Sequence, residues 1–416
     1  MKVLVVNDDL EHGSLSVPRL AHQLARHLAA GGTETALLGA VADPALEGER
    51  RDGGLTIFQI HSDYPMRFRA YRGLYNPATV RKFRDIVSRW RPDVVHFHNV
   101  HTHLSFYCLK VARRLGARVI LTAHDVMLFW SGKLDCFDAG TSLADVADGK
   151  IDYRTRWWRE LGRQRLRYLP LRNTLVRSLV GRHAQRIVSV SDCLRHALAL
   201  NGYRNTTTIH NGVPAGDGLA SDEEARDWRR RLELDGKRVV FAGGRLSPLK
   251  GIEQLLRAVA RLGGEGVHLI IAGRGSVPYE GRLRRLAADL GLERRTLFTG
   301  WIEGGALRSA FAAADVCVNP SLCFETLSMF NLEAMAAGRP VVTTFFGGAC
   351  ETIVDGDNGR FVNPHRIDDL AARLGEVLDD EAARLRMGER GRERAAAKFD
   401  AATQMERVRE LYHAAS

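Results

Sequence analysis

Short apolar runs recur along the whole chain, each bounded by polar or glycine-rich turns and followed by a stretch whose apolar residues fall at helical spacing. In the first half, residues 3–6, 35–38, 57–60, 94–97, 119–122 and 187–190 read as strands. The second half restarts the pattern at 239–242, 268–272, 296–299, 316–319, 340–343 and 359–362. Strands alternating with helices predict an α/β chain with parallel sheets. Residues 210–235 interrupt the alternation with N-G-V-P-A-G-D-G and then S-D-E-E-A-R-D-W-R-R-R-L-E-L-D-G, which reads as a turn-rich linker entering a polar helix. The pattern therefore predicts two Rossmann-like, doubly wound domains, 1–210 and 211–390. An amphipathic helix over 391–416 is expected to pack back toward the first domain. Ligands of doubly wound sheets sit at the carboxyl ends of the strands, so two such domains facing each other predict a site in the cleft they enclose.

Composition narrows the class. With 416 residues, 45% of them hydrophobic and 26% charged, the chain suits globular domains and not a disordered or fibrous polymer. No run of about 18 apolar residues predicts a membrane span. The opening M-K-V-L-V-V-N-D-D-L reads as a first buried strand and not as a signal peptide, so a cytoplasmic location is expected. Cys108, Cys136, Cys193, Cys317, Cys323 and Cys350 form no C-x-x-C pair, which argues against zinc or a disulfide framework. The net charge of +11 is unevenly placed. Residues 154–186 hold ten Arg against one acid, Glu160, a net +9. Trp157, Trp158, Leu161, Leu166, Tyr168, Leu175 and Leu179 are interleaved, so this stretch reads as basic amphipathic helices broken near Pro170. Two uses fit: packing on the first domain, or lying peripherally on an anionic membrane, at its inner face.

Chemistry is densest in the second half. V-V-F-A-G-G-R-L-S-P-L-K-G-I-E-Q-L-L, from Val239, runs from a buried strand through glycines into a helix, with Arg245 and Lys250 bracketing the turn. Two cations at a helix entrance suit a diphosphate, because the helix start adds free N–H groups and partial positive charge. From Pro320, P-S-L-C-F-E-T-L-S-M-F-N-L-E-A-M-A-A-G-R-P-V-V places Glu325 and Glu333 eight positions apart, with a helix expected to begin near Thr326. There Glu325 would meet sugar hydroxyls at the helix mouth, and Glu333, two turns on, would grip a vicinal diol such as that of ribose. Asp355 and Asp357 form a D-x-D, but in V-D-G-D-N-G they read as a turn. In the first half, Asp8, Asp9, Glu11, His12 and Gly13 follow the first strand, where acids would suit a hydroxyl-rich or amino-bearing acceptor, or simply solvate a turn.

These residues carry a resemblance. G-R-L-S-P-L-K-G, the E-x7-E run ending in E-A-M-A-A-G-R-P-V-V, and F-G-G-A-C-E-T-I-V-D-G-D-N-G-R resemble glycosyltransferase family 4. So do P-D-V-V-H-F-H-N, L-T-A-H-D, V-S-V-S-D and I-H-N-G-V in the first half, so the likeness spans nearly the whole chain in order. The resemblance implies the GT-B architecture and retaining transfer of a hexose-type unit, from a nucleotide diphosphate sugar, most often a UDP-sugar, to a hydroxyl acceptor. Arg245 and Lys250 would hold and neutralise the diphosphate, helped by the amides of Thr326, Leu327 and Ser328. Glu325 would bind donor sugar hydroxyls and Glu333 the ribose. Gly244, Gly273, Arg274 and Gly275, with Trp301 and Ile302 in T-G-W-I, would wall the nucleotide. His124 would face the donor sugar. No metal and no other cofactor is expected, since Arg and Lys take a metal's place, and nucleic acid is not an expected partner. The family's glycine pair in the first loop is here reduced to Gly13, which leaves that loop's donor role open. Products implied are glycans, polysaccharides or glycolipids. The alternatives are glycosylation of a small soluble metabolite such as an amino-bearing natural product, a nucleotide-sugar epimerase, or a non-catalytic sugar-nucleotide-binding protein.

Overall fold

The apolar runs are buried on both faces, as strands covered by helices on either side must be. A computed structural model describes residues 1–10, 16–164, 169–214 and 219–414, in which the chain forms two α/β units. The first takes Met1–Gly132, Tyr153–Asn211 and Ala402–Ser416. Its sheet has the order β3-β4-β2-β1-β5-β6-β7-β8, with β1 (Lys2–Asn7), β2 (Glu34–Val41), β3 (Gly48–Asp52), β4 (Leu55–His61), β5 (Val94–Phe97), β6 (Arg118–Ala123), β7 (Arg186–Ser189) and β8 (Thr206–Thr208). All pairs are parallel except β3 with β4. The strand order reverses direction beside β1, which pairs with β2 on one side and β5 on the other.

The second unit takes Lys133–Asp152 and Gly212–Ala401. Its parallel sheet runs β11-β10-β9-β12-β13-β14, built from β9 (Arg238–Leu246), β10 (Val267–Gly275), β11 (Thr296–Gly300), β12 (Val316–Asn319), β13 (Val341–Thr344) and β14 (Gly359–Val362). Here the reversal falls between β9 and β12. The core between sheet and helices includes Val240, Leu255, Leu256, Leu269, Ile271, Val316, Val342 and Leu374, all fully or nearly fully buried.

Three departures from the sequence reading stand beside one agreement. β3 (G-E-R-R-D) and β8 (T-T-T) carry no apolar run, because one is exposed and the other only half-buried at the sheet's two edges. The polar helix after the linker is Asp222–Arg231, started by a reciprocal Ser221–Glu224 capping box. Residues 133–152 belong to the second unit, not to the first domain. The expected single helix over 391–416 is two, Glu381–Lys398 and Ala401–Ala414. Between them Asp400 pairs with Val213: the Val213 N–H donates to the Phe399 carbonyl at 2.8 Å and the Ala401 N–H to the Val213 carbonyl at 3.0 Å. Those backbone groups are spent on a bridge, so the helix cannot run through them.

The last helix completes the first unit's core with Met405, Val408, Leu411 and Tyr412. Tyr412 is fully buried and its hydroxyl meets His96 Nδ1 at 2.7 Å. A Tyr412→Phe substitution leaves that ring nitrogen buried without a partner, at a cost of about 1–3 kcal/mol. Urea unfolding should show the loss, and an unchanged midpoint would mean that the bond contributes nothing.

Candidate functional site

In the second unit the chemistry gathers where the strand order reverses. β9 and β10 continue beyond the core in register, pairing Gly273 with Gly244, Arg274 with Arg245 and Gly275 with Leu246. A Cβ on Gly273 would stand 1.9 Å from the Gly244 carbonyl oxygen, so only glycine lets the two strand ends lie this close. Arg245 and Arg274 are register partners, and both are exposed. After β9 the turn Pro248–Lys250 leads through Gly251, at φ +70°, into the helix Ile252–Leu262. A Cβ on Gly251 would come within 1.8 Å of the Pro320 carbonyl oxygen. The absence of a side chain there presses the turn against the end of β12, where the Leu322 N–H donates to the Leu249 carbonyl at 2.9 Å.

This close approach brings Lys250 to Glu325. Nζ lies 2.5 Å from Oε1, which also accepts from Ser321 Oγ at 2.5 Å. The Lys250 side chain is 26% exposed and that of Glu325 10%. Burial disfavours the Lys250 ammonium, but the Glu325 carboxylate more than offsets it, and its pKa is raised. Burial likewise disfavours the Glu325 anion, and Lys250, then Lys133, outweigh that and hold its pKa below the usual value. Both groups therefore stay charged across the physiological range. The backbone of Glu325 is fixed too: its N–H donates to the Phe346 carbonyl at 2.8 Å, and its carbonyl accepts from the Gly348 N–H at 2.7 Å. Sequence reasoning set Glu325 at a helix mouth facing sugar hydroxyls; the two hydrogen bonds to its side chain tie it first to Lys250 and Ser321.

The helix expected at Thr326 begins at Met329, with Ser328 as its cap. Ser328 Oγ accepts from the Asn331 N–H at 3.3 Å and from Asn319 Nδ2 at 2.9 Å, so Thr326 and Leu327 belong to the turn ahead of the helix. Glu333 is half-buried on the helix Met329–Ala336. Trp301 and Ile302, half-buried, directly follow β11, and among the described residues the buried Trp301 indole N–H has no hydrogen-bond partner. An unmet buried donor is costly unless a ligand supplies the acceptor. Asp355 and Asp357 do lie in a turn: Asp355 Oδ1 accepts the Phe361 N–H at 2.8 Å, and Asp357 lies 4.0 Å from Arg390.

Sequence reasoning missed the strap formed by residues 133–152. Leu134 accepts the Phe324 N–H at 2.7 Å, and Phe137 stacks flat on Phe346 with centroids 4.1 Å apart. Asn363 Nδ2 donates to the carbonyls of Asp138 and Thr141 at 2.8 and 2.9 Å. Lys133 thereby enters the neighbourhood of Glu325 and Cys323. The only hint in the sequence was the apolar spacing of Leu134 and Phe137 in a stretch without strand or helix pattern.

In the first unit the carboxyl ends of β1, β5 and β6 bring together Asp8, His98 and His124. Asp8, which the sequence offered to an acceptor, is tied to the backbone of a neighbouring loop. Its two carboxylate oxygens accept the N–H groups of Thr102 and Leu104 at 2.6 and 2.7 Å, and the residue is 5% exposed. Asp9 is half-buried, and its carbonyl accepts from Asn7 Nδ2 at 2.7 Å. Glu11, His12 and Gly13 lie outside the described residues. His124 is buried and meets His98 Nδ1 through its Nε2 at 2.8 Å. The His98 ring stacks on both His124 and His96, and His96 Nε2 meets Thr122 Oγ1 at 2.7 Å. Burial lowers all three imidazoles, His98 to about 3, and mutual proximity adds to this for His96 and His124.

Two family models match the chain: Glycosyltransferase Family 4 over residues 17–216 and Glycosyl transferases group 1 over residues 224–394. The chain is 30% identical over 302 residues to the GDP-mannose-dependent alpha-(1-6)-phosphatidylinositol monomannoside mannosyltransferase of Mycolicibacterium smegmatis, covering 70% of this chain and 78% of that protein. It is 34% identical over 205 residues to the D-inositol 3-phosphate glycosyltransferase of the same organism, covering 49% of this chain and 44% of that one. Among solved structures, sucrose-phosphate synthase from Thermosynechococcus elongatus matches with TM-score 0.77 at 22% identity, and HepE of Anabaena in complex with UDP and glucose with TM-score 0.75 at 19%, each over the full length of both chains. These two establish likeness of fold.

The three imidazoles are neutral in the fold and would take up protons on unfolding below pH 6.5. Their folded pKa values are depressed, so the unfolded chain binds more protons and stability falls as pH drops from about 6.5 toward the folded values. Melting temperatures should decline from pH 7 to pH 5, and a His98→Asn variant should decline less steeply. Equal slopes would remove His98 from the account.

Proposed function

Because this chain belongs to glycosyltransferase family 4, we propose that it moves a hexose-type unit from a nucleotide diphosphate sugar to a hydroxyl acceptor with retention of anomeric configuration and without a metal. The observation that carries this reading is the charged pair Lys250–Glu325 at the point where the second sheet reverses, with Arg245 acting electrostatically on Lys250. As the bond between the anomeric carbon and the phosphate oxygen breaks, its electron pair goes to the departing diphosphate. Arg245 and Lys250 meet that growing charge with fixed positive charge, and so lower the barrier. Glu325 holds the Lys250 ammonium in place through the reaction. Glu333 takes the ribose diol, and the Trp301 N–H offers a donor to the nucleotide. No side chain is assigned as a nucleophile; the acceptor hydroxyl attacks the anomeric carbon on the face the diphosphate leaves, its proton passing to the departing phosphate oxygen, and this accounts for retention. The nucleotide is uridine in the reading from the sequence. The mycobacterial relative named as GDP-mannose-dependent favours guanosine as a second reading.

The product class is a glycan, polysaccharide or glycolipid made at a membrane that the enzyme meets through residues 154–186. Among the described residues no helix is long and apolar enough to cross a membrane. The helix Trp157–Gln164 instead presents Trp157 at 62% and Trp158 at 52% exposure, with Arg156 over the Trp158 ring. Glu160, the one acid, is turned inward: Oε1 accepts the Ser131 N–H at 3.0 Å and Oε2 accepts Asn173 Nδ2 at 2.9 Å. Arg172 is also buried, donating to the Met127 carbonyl at 2.9 Å, and so is not a surface charge. Residues 165–168 lie outside the described residues. Exposed indoles among arginines suit the headgroup layer of an anionic bilayer.

Assayed against UDP- and GDP-hexoses, Arg245→Ala and Lys250→Ala should each lower kcat by about a hundred- to a thousandfold. NMR of the product should show the donor's anomeric configuration. Near wild-type turnover in either variant, or an inverted product, would overturn the assignment. Flotation with vesicles containing anionic lipid should carry the protein up at low salt and release it at high salt, and Trp157→Ala with Trp158→Ala should weaken the binding. Equal recovery with neutral vesicles would exclude this surface.

A further inference from the structure

The strap at 133–152 lies between two stretches of the first unit in sequence, yet it is built into the second. What it grips is specific. The Leu134 carbonyl takes the N–H of Phe324, the neighbour of Glu325, and the Phe137 ring lies at 4° to that of Phe346, whose carbonyl holds the Glu325 N–H. Arg366 Nε donates to the Ala139 carbonyl at 2.6 Å, and Leu134 and Phe137 are buried at 8% and 6% exposure. The strap is thus fastened to both backbone segments that hold Glu325. Lys133 stands one residue from the Leu134 clamp, as Glu325 stands one residue from Phe324, and its side chain is exposed.

We infer that Lys133 is a donor-binding residue, the third cation of the diphosphate site, carried there by the strap and recognising the phosphate charge of a nucleoside diphosphate or its sugar. The inference rests on the reading of Arg245 and Lys250 given above. Charge supports it. Lys133 and Lys250 both act on Glu325, and Arg245 acts on Lys250. Burial raises the Cys323 thiol above its ordinary value, so that group is neutral at physiological pH. With Arg245 and Lys250 alone, the carboxylate leaves one net positive charge against a diphosphate diester that carries two negative ones. Lys133 brings the site to two. When the sugar departs and the diphosphate gains a further negative charge, the same three cations meet it. A flexible, solvent-reachable lysine suits this task, because it can follow the phosphate as the charge moves along it.

The test uses the full chain and measures UDP and GDP binding by calorimetry, with donor KM and kcat from the transfer assay. Lys133→Met should weaken binding of the nucleotide the enzyme uses by about tenfold or more and raise donor KM. The salt dependence of binding should become shallower, since one phosphate contact is gone. Lys133→Arg should restore most of the affinity, and both variants should melt with the wild type. Wild-type affinity and salt dependence in Lys133→Met would overturn the inference. So would a Lys133→Arg protein as weak as Lys133→Met with a lowered melting temperature, since that marks a structural role. Lys250→Met and Arg245→Met run alongside: if they lose binding while Lys133→Met keeps it, only the strap's part is wrong, and if they keep it too, the diphosphate reading itself fails.

Discussion

The Lys250–Glu325 ion pair is the joint on which the second unit's chemical end is assembled. It links the turn after β9 to the loop after β12, and through the backbone of Glu325 it reaches the segment after β13. Its setting lies between a solvated surface pair, worth under about 1 kcal/mol, and a fully buried one, whose breakage costs about 3–5 kcal/mol. Ser321 and the neighbouring lysine keep the carboxylate ionised despite its burial. Two glycines make the approach possible: Gly251 lets the turn touch Pro320, and Gly347, at φ +104°, lets its strand end touch Glu325, where a Cβ would stand 2.3 Å from the carbonyl oxygen. The pair is therefore a product of backbone packing as much as of charge.

The two units solve the burial of polar groups at strand ends in opposite ways. In the second, opposite charges are brought together and both remain ionised. In the first, His96, His98 and His124 are stacked and kept neutral, with Tyr412 and Thr122 on the two ring nitrogens of His96 at one end of the chain of rings. Asp8 is the charged exception, satisfied by two backbone amides of the loop after β5. A carboxylate that accepts from two N–H donors organises a loop.

Much of this was legible in the sequence, and what was not had a physical reason. The twelve apolar strands announced themselves because both faces of a parallel sheet are covered. β3 and β8 did not, since edge strands need no apolar run. The spacing of Arg245, Lys250, Glu325 and Glu333 was readable as a family pattern, but the start of the helix was not: Thr326 and Ser328 are both acceptable caps, and the hydrogen bonds that Ser328 accepts from Asn331 and Asn319 select the second. The membership of residues 133–152 was hidden because tertiary attachment largely through carbonyl groups leaves little side-chain pattern beyond Leu134 and Phe137. Segment 154–186 was readable as basic and aromatic, yet not that Glu160 and Arg172 turn inward while the indoles turn out.

The placement of Tyr412 bears on how the molecule is made. Three stretches of chain, the last of them some two hundred residues beyond the second, compose the first unit, and a fully buried ring near residue 412 seals the core begun at residue 3. Domains usually close in the order in which they leave the ribosome. Here the unit begun first is finished last: its sheet emerges with one side of its core unfilled while all of the second unit but the strap is being synthesised. The nascent chain thus carries an exposed apolar groove while nearly half of its residues are added.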